Sequence, residues 1–292
     1  METKIEKMRQ LLTTRLPSAG VVRTGVEGAG LFRIDAGYRK RPELYAPQII
    51  LLAQGKKRIF LGDKTYEYDS CHYYVQALPL PVECEAVIED GKPMLGMVLK
   101  IDPQVIGEIL FEMNAGVPAT GKVSDSLYSA RLSDGIIDAA IRLLETLDSK
   151  NEAKVLGPMY FKEIIFKIIN GEHGETLREL VMNNRGFYQI SRAIGNIHEH
   201  YSHPIDIGEL AKEAGMSSTA FYNTFKSVTS TSPLQYIKNI RLHKAKELIQ
   251  QEGEKANAAA GRVGYESISQ FSREYKRCFG VTPASDKMAA TA

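Results

Sequence analysis

The stretch "GRVGYESISQFSREYKRCFGVTP", residues 261–283, combines an apolar and a basic pattern in one segment. Phe271 and Tyr275 are one helical turn apart, so they share one face of a helix, while Arg273, Lys276 and Arg277 fall elsewhere around it. The pattern predicts a helix that buries one side in its own domain and presents basic side chains on another.

Much the same pattern occurs fifty residues earlier, in "AKEAGMSSTAFYNTFKSVTSTSP", residues 211–233. Phe221 and Phe225 match Phe271 and Tyr275 at a constant offset of 50, and each copy closes on a proline. The repeat predicts two similar units, each made of a helix, a tight turn and a second helix.

Each predicted turn contains a glycine, Gly215 or Gly264, at the end of the first helix. A left-handed backbone is needed there, and glycine adopts it without a Cβ penalty. Residues 217–218 and 266–267 follow the glycines and carry oxygen acceptors for the N-terminus of the second helix.

The outward faces of the two second helices are polar or basic. A helix that is buried on one side and polar on the other can enter the major groove of DNA. The candidate DNA-facing residues are Thr219, Tyr222, Asn223 and Lys226 in the first unit and Ser269, Ser272, Arg273 and Lys276 in the second.

The segment "SPLQYIKNIRLHKAKELIQ", residues 232–250, has apolar residues at helical spacing and predicts one long connecting helix. A rigid connection would fix helix-turn-helix units at 206–228 and 256–278 relative to each other. The two units could then enter successive major grooves, about 34 Å apart, on one face of a duplex.

The N-terminal half has a different pattern. Residues 21–101 contain short β-branched and aromatic runs between tight turns, which is typical of a small β-barrel or sandwich. The runs lie at 48–54, 57–62, 64–70, 72–78, 82–88 and 94–100. Residues 1–20 are predicted to form a surface helix or arm. The fold class predicted for the whole chain is α+β.

Residues 102–184 are predicted to form a helical linker or dimerisation region. Helical spacing of apolar residues occurs at 103–114, 134–147 and 155–171. These helices carry more apolar surface than one small barrel must cover. They could pack on the barrel or on a second copy of the chain, which leaves a monomer and a homodimer both open.

Residues 187–288 resemble the DNA-binding domain of the AraC/XylS family of bacterial transcription regulators. The resemblance lies in "IDIGELAKEAGMSSTAFYNTFKSVTSTSPLQYIKNIRLHKAKELI" and "GYESISQFSREYKRCFGVTP". Upstream, "LLAQGKKRIFLGDKTYEYDS" and "LGPMYFKEIIFKIINGEHGETLREL" resemble the cupin-like N-terminal domain of one branch of that family. The resemblance implies a small barrel that senses a small molecule, dimerises, or does both. It also implies binding to double-stranded promoter DNA and activation of transcription through RNA polymerase.

The resemblance also carries base-reading roles to particular positions, namely Thr219, Ala220, Tyr222, Asn223, Ile268, Ser269 and Arg273. Many family members have Arg or His where Asn223 stands, so this helix is expected to contact adenine through the amide instead. Ile268 is apolar where a polar residue is common, which suggests a thymine-methyl contact or none. "NAAAGRVG", residues 257–264, lacks the usual acidic residue before its alanine, which is expected to loosen that helix.

Composition limits the remaining function classes. The chain of 292 residues is long enough for two domains, and its net charge is only +2, although residues 187–292 carry 13 Lys+Arg against 10 Asp+Glu. It has no apolar run approaching the ~20 residues that cross a bilayer, and the N-terminus does not have the pattern of a signal peptide. Three scattered cysteines favour a reduced, cytoplasmic setting.

Neither a metal site, a cofactor nor catalysis is expected. His198, His200 and His203 are close in sequence, but the first two point to different sides of a helix, and the third precedes a proline. The barrel region has one histidine, His72, which is too few for a cupin metal site. The chain is therefore not expected to be an enzyme.

Three questions stay open at this point. Cys71 and Cys84 lie on neighbouring strand candidates and are either ordinary thiols or a sensor of electrophiles. The barrel's tyrosines either line an effector pocket or fill a core, so the effector site is unassigned. The alternatives to a small-molecule-controlled regulator are a ligand-independent dimeric regulator with a structural barrel, or a cupin-like binding protein or enzyme.

Overall fold

The computed structural model describes residues 1–115, 124–182 and 186–290, with side chains up to Lys287. Residues 116–123 and 183–184 of the predicted linker region therefore lie outside the described residues. The chain divides into two compact units, with the main boundary between Tyr188 and Gln189.

The first unit contains two sheets. The six-stranded sheet has the order β1-β2-β9-β4-β7-β10, and the four-stranded sheet has the order β3-β8-β5-β6. The strands are β1 (Gly20–Arg23), β2 (Ala29–Ile34), β3 (Tyr38–Tyr45), β4 (Gln48–Gln54), β5 (Lys56–Leu61), β6 (Lys64–Tyr68), β7 (His72–Gln76), β8 (Leu80–Val87), β9 (Met94–Lys100) and β10 (Leu127–Arg131). All six runs predicted as strands are confirmed, with boundaries that shift by one or two residues.

The core of this unit forms around strand β4. Its five central residues, 49–53, are all buried, which is the burial expected of a continuous apolar run with both faces covered. Strands β7 and β9 flank β4 as antiparallel neighbours. Tyr68 of β6 stacks on Tyr74 of β7 with ring centroids 4.8 Å apart, which joins the two sheets. Tyr68, Tyr73 and Tyr74 are almost fully buried, so these three fill the core.

The described part of the first unit also contains helices. They are α1 (Glu2–Arg15), α2 (Pro103–Glu112), α3 (Asp134–Thr146), α4 (Lys150–Val155), α5 (Gly157–Ile169) and α6 (Glu175–Glu179). Of these, α1 packs on strands β4 and β9. Helix α1 is more than the surface helix or arm expected from the sequence, because Met8 and Leu12 are buried. Lys4 also pairs with Asp138 of α3, with Nζ 2.9 Å from the carboxylate oxygen.

The expectation that residues 102–184 are helical throughout is wrong at strand β10. Leu127–Arg131 pairs antiparallel with β7, from Leu127 opposite Gln76 to Arg131 opposite His72. The sheet domain thus extends beyond residue 101. A five-residue strand between helices has too few residues to show a period, and its partner lies about fifty residues away in the chain.

The second unit is helical after the main boundary, from Gln189 onward. Its helices are α7 (Gly186–His200), α8 (Ile207–Glu213), α9 (Ser218–Thr229), α10 (Pro233–Gln250), α11 (Ala256–Arg262), α12 (Ile268–Phe279) and α13 (Pro283–Ala290). Together with the sheets of the first unit, they confirm the α+β class. Among the described helices, none is both long enough and apolar enough to cross a membrane.

Candidate nucleic-acid interface

Two tight turns join α8 to α9 and α11 to α12. Gly215 has φ +65° and Gly264 has φ +83°, so the predicted left-handed backbone is confirmed at both. The two glycines differ in their surroundings. A Cβ at Gly264 would overlap the carbonyl oxygen of Ser202, whereas a Cβ at Gly215 would lie no closer than 3.9 Å to Nε2 of Gln189.

Serine side chains begin both second helices. The hydroxyl of Ser217 accepts a hydrogen bond from the backbone N–H of Ala220, and Ser267 accepts one from Gln270, each at 3.3 Å. The first helices are capped differently. Asp206 accepts from the backbone of Gly208 at the start of α8, but α11 follows Lys255, whose side chain has no acceptor.

The two aromatic pairs form the buried stripes of α9 and α12, as predicted. Phe221, Phe225, Phe271 and Tyr275 are all fully buried. Phe225 meets Tyr236 of α10 edge to face, with ring centroids 5.4 Å apart. Phe271 and Tyr275 share a buried cluster with Leu242, Ala245, Leu248 and Ile249 of α10. Both second helices are thus packed on the connecting helix.

A polar network adds to the apolar anchoring of α12. The hydroxyl of Tyr275 donates to Oδ2 of Asp286 in α13 at 2.6 Å. Nε2 of Gln250, at the end of α10, donates to the other carboxylate oxygen at 2.9 Å. In α9 the matching residue is Phe225, which has no hydroxyl. Helix α12 is thus anchored partly by hydrogen bonds that α9 cannot make through this residue.

The residues predicted to face DNA lie on the outward surfaces of α9 and α12. The exposed members are Thr219, Ala220, Tyr222, Asn223 and Lys226 on α9, and Ile268, Ser269, Arg273 and Lys276 on α12. Ser272 is half-buried. The side chain of Ile268 is 47% exposed at the first position of α12, although an isoleucine would ordinarily be covered. The geometry thus brings two matching outward faces onto one helical unit.

A carboxylate that the sequence did not point to lies behind the face of α12. Glu274 accepts from Nζ of Lys238 at 2.9 Å, from the hydroxyl of Tyr265 at 2.7 Å and from Nε2 of Gln270 at 3.2 Å. Burial opposes ionisation of Glu274, but these three donors outweigh it and lower the pKa of the carboxyl. Glu274 is therefore ionised at neutral pH.

A second unpredicted residue, Arg241 of α10, ties the segment between α7 and α8 to the turn between α11 and α12. Its guanidinium donates to the carbonyl oxygens of Tyr201 at 2.7 Å, His203 at 2.9 Å and Gly264 at 3.1 Å. Burial lowers the pKa of Arg241, and the group nonetheless stays charged. One sign of this role was present in the sequence: Arg241 is a charged residue between Ile240 and Leu242, inside the apolar pattern of the connecting helix.

A comparison with family models identifies the chain. Residues 25–176 match the model described as the N-terminus of AraC-type transcriptional regulators. The chain belongs to this family. Residues 210–287 match a helix-turn-helix domain model, over α9 to α12 and most of α8 and α13. In this AraC-type chain the matched N-terminal range includes strands β2 to β10 and helices α2 to α5.

Curated relatives are similar to part of the AraC-type chain. The probable transcriptional regulator LumQ of Photobacterium leiognathi is 33% identical over 87 residues, which are 30% of this chain and 35% of that protein. The regulator AlkR of Acinetobacter baylyi is 32% identical over 95 residues, which are 32% of this chain and 31% of AlkR. The matched segments thus span about a third of the length of these relatives.

Solved structures similar to the AraC-type chain share its fold. An apo ToxT variant from Vibrio cholerae matches with a TM-score of 0.60 and 11% identity, covering 91% of this chain and 99% of that chain. Wild-type ToxT matches with a TM-score of 0.56 and 12% identity, covering 89% and 94%. At these identities the likeness establishes the fold alone.

The three clustered histidines of this AraC-type regulator have separate partners. Nε2 of His198 lies 2.9 Å from the Tyr236 hydroxyl, and Nδ1 of His200 lies 3.0 Å from a backbone carbonyl oxygen of its own helix. His203 lies beside the hydroxyl of Ser202. Over the part of the chain that the structure describes, no three His, Cys, Asp or Glu side chains group closely enough to hold a metal ion.

The cysteines of the first unit are not neighbours, which corrects the expectation from the sequence. Cys71 is exposed in the turn directly before β7 of the six-stranded sheet, whereas Cys84 is buried on β8 in the four-stranded sheet. The thiol of Cys84 lies 3.2 Å from the hydroxyl of Tyr45, which accepts from Nζ of Lys57 at 2.9 Å. The electrophile-sensing hypothesis stays a prediction.

Proposed function

We propose that this AraC-type regulator binds promoter DNA by placing α9 and α12 in two successive major grooves. The observation that carries the proposal is the repeat itself. Two helices with buried aromatic stripes and exposed outer faces are attached to one connecting helix, α10. An 18-residue helix is about 27 Å long, which suits two grooves about 34 Å apart when side chains and helix widths are included.

We assign roles to the outward residues by their chemistry. The Asn223 amide can pair with adenine, and the Arg273 guanidinium can pair with guanine, each through two hydrogen bonds. Ile268 contacts a thymine methyl group. Lys226 and Lys276, further along their helices, neutralise phosphates, and the remaining contacts come from Thr219, Ala220, Tyr222, Ser269 and Ser272.

The exposure of these side chains supports the assignment, because a side chain that contacts bases must be accessible on the outer surface of its helix. It also separates this function from that of a protein-interaction tail. A surface that binds protein has a largely apolar centre, whereas these faces combine amides, hydroxyls and cations with the apolar side chains of Ala220 and Ile268.

We further propose that the first unit controls DNA binding in response to a small molecule and that the bound protein activates transcription through RNA polymerase. One similar ToxT structure is described as bound to an unsaturated fatty acid, which suggests apolar acids as the first effectors to test. The buried Tyr68, Tyr73 and Tyr74 favour the alternative in which the barrel is structural and the regulator is ligand-independent.

Retention of genomic DNA fragments on purified full-length protein, followed by sequencing, tests DNA binding. We expect enrichment of a motif with two half-elements about one helical turn apart. Replacing both Asn223 and Arg273 by alanine should abolish the enrichment, whereas replacing Lys244, which pairs with Glu247 on α10, should preserve it. Absence of enrichment at low and moderate salt, with and without cell extract, would contradict the proposal.

Adding fatty acids to the same assay tests the effector. A shift in DNA affinity of tenfold or so, about 1.4 kcal/mol of coupling, is the expected size for an allosteric ligand. Unchanged retention across saturated and unsaturated acids would favour the ligand-independent alternative and leave DNA binding itself unaffected.

A further inference from the structure

Glu274 is an acidic side chain in a helix that the proposed function places against DNA, where a carboxylate would be repelled by phosphates. The carboxylate is turned inward, with its side chain 13% exposed, and is surrounded by Lys238, Tyr265 and Gln270. These donors come from three places: the connecting helix, the turn before α12, and α12 itself. Glu274 therefore joins α12, the proposed base-reading helix, to the connecting helix α10 and to the turn before α12.

The first helix-turn-helix unit holds its proposed base-reading helix, α9, differently. At the constant offset of 50, the position of Glu274 is occupied by Thr224, which carries no charge. Helix α9 packs on α10 through the ring of Phe225 against Tyr236, with centroids 5.4 Å apart. Helix α12 also has ring contacts, such as Phe271 with Tyr265, and the hydrogen bonds of Glu274 are added to them. Ring contacts allow small rotations of a helix at little cost, whereas an ion pair with two added hydrogen bonds is directional.

Lys238 and Arg241 of α10 are two attachment points for the second helix-turn-helix unit. They are three residues apart, so they lie on the same side of that helix. Arg241 bonds the carbonyl of Gly264 in the turn, and Lys238 bonds Glu274 in the middle of α12. Because a helix attached at its turn and at its middle cannot swing freely, its direction relative to α10 is set.

We propose that Glu274 is a positioning residue: through Lys238 and Tyr265 it sets the direction of α12 and thereby the spacing of half-elements that the protein accepts. This proposal rests on the proposed function. The spacing is defined by the two reading helices together, so loss of the tether should widen the range of accepted spacings while leaving the base contacts of each helix in place.

The test uses full-length protein and duplexes that carry its two selected half-elements at the selected spacing or with one base pair inserted or removed. One base pair shifts a half-element by about 3.4 Å and rotates it by about 35°. The variants are Glu274→Gln and Lys238→Gln. The first raises the net charge of the protein by one and the second lowers it by one, so any general electrostatic effect on DNA affinity has opposite signs.

We expect the wild-type protein to lose roughly tenfold or more in affinity when the spacing changes by one base pair. Both variants should reduce that loss to roughly threefold or less. Glu247→Gln is the matched control, because its carboxylate pairs with Lys244 on the same helix, 2.8 Å away, and joins no two elements. It should keep the wild-type preference.

Three results would overturn the proposal. Wild-type spacing preference in both variants would show that α12 keeps its direction without the tether. Opposite changes in the two variants would show a charge effect instead. Equal binding of the wild-type protein at all spacings would contradict the role of Glu274 but support DNA binding. Absence of DNA binding would instead contradict the proposed function. Should Glu274→Gln unfold, Lys238→Gln, at a partly exposed position, decides the question.

Discussion

Replacing Gly264 by alanine is expected to destabilise the second unit more than the same replacement at Gly215. The two positions have equivalent places in their repeats and similar backbone angles, with φ of +83° and +65°. They differ in what a new methyl group would meet. At Gly264 it would overlap the carbonyl oxygen of Ser202, while at Gly215 the nearest atom, on Gln189, is 3.9 Å away.

The magnitudes follow from two contributions. A left-handed backbone costs alanine about 1–2 kcal/mol, and the stiffer unfolded chain returns about 0.4–1 kcal/mol, which leaves about 1 kcal/mol for Gly215→Ala. At Gly264 the overlap adds an overpacking cost of about 1–3 kcal/mol. Because Ser202 lies between two residues whose carbonyls bond Arg241, moving it strains that network. We expect Gly264→Ala to cost about 2–4 kcal/mol.

Urea denaturation followed by far-ultraviolet circular dichroism measures both losses, with tyrosine fluorescence as a second probe in case the two units unfold separately. Gly264→Ala should also weaken DNA binding, because the turn that it distorts leads into α12. Equal free-energy losses at the two glycines would refute the reasoning, since the contact with Ser202 would then contribute nothing.

Three further predictions concern charge and hydrogen bonding in the second unit. Burial, with a smaller effect from nearby lysines, lowers the pKa of His198 and His243 to about 4, so only the unfolded chain gains these protons as pH falls from 6.5. Unfolding free energy from urea titrations should thus fall between pH 6.5 and about 4, by on the order of 3 kcal/mol per histidine. Lys226→Ala and Lys276→Ala should each lower the salt slope of DNA binding, measured by fluorescence anisotropy, by about one. Tyr275→Phe should cost about 1–3 kcal/mol in thermal unfolding, because a buried carboxylate loses a donor.

Each of these has a control. His198→Asn should remove part of the acid sensitivity, and an unchanged pH profile would contradict the assigned neutral state. Lys244→Ala, away from the outward faces, should keep the wild-type salt slope. A slope that is also unchanged in the Lys226 variant would place that ammonium group away from phosphate. Tyr222→Phe removes an exposed hydroxyl and should leave stability unaltered, and equal stability of Tyr275→Phe would count against the network.

The sequence predicted the features that depend on local chemistry. Glycines in the turns, the caps at Ser217 and Ser267 and the aromatic pairs of the repeat all act within a few residues, so their spacing alone was informative. The same holds for the continuous apolar run of β4. The reading helices and the outward faces of the candidate site were therefore accessible before the structure.

Features that depend on distant partners were not accessible. Strand β10 pairs with β7 from about fifty residues away, and Glu274 pairs with Lys238 across 36 residues. A glutamate in an exposed-looking helix position gives no sign of whether it faces solvent or an ammonium group. The expectation that Cys71 and Cys84 lie on neighbouring strands was wrong for the same reason, because strand order within a sheet does not follow chain order.

Parallel binding-site selection with the wild-type protein, Asn223→Ala and Arg273→Ala tests the central claim most directly. We predict that the wild type selects two half-elements about 10 base pairs apart. Each variant should lose about 1–3 kcal/mol of base discrimination in one half-element and keep it in the other. Loss of discrimination at the same positions in both variants, or unchanged selection in either, would contradict the assignment of one reading helix to each groove.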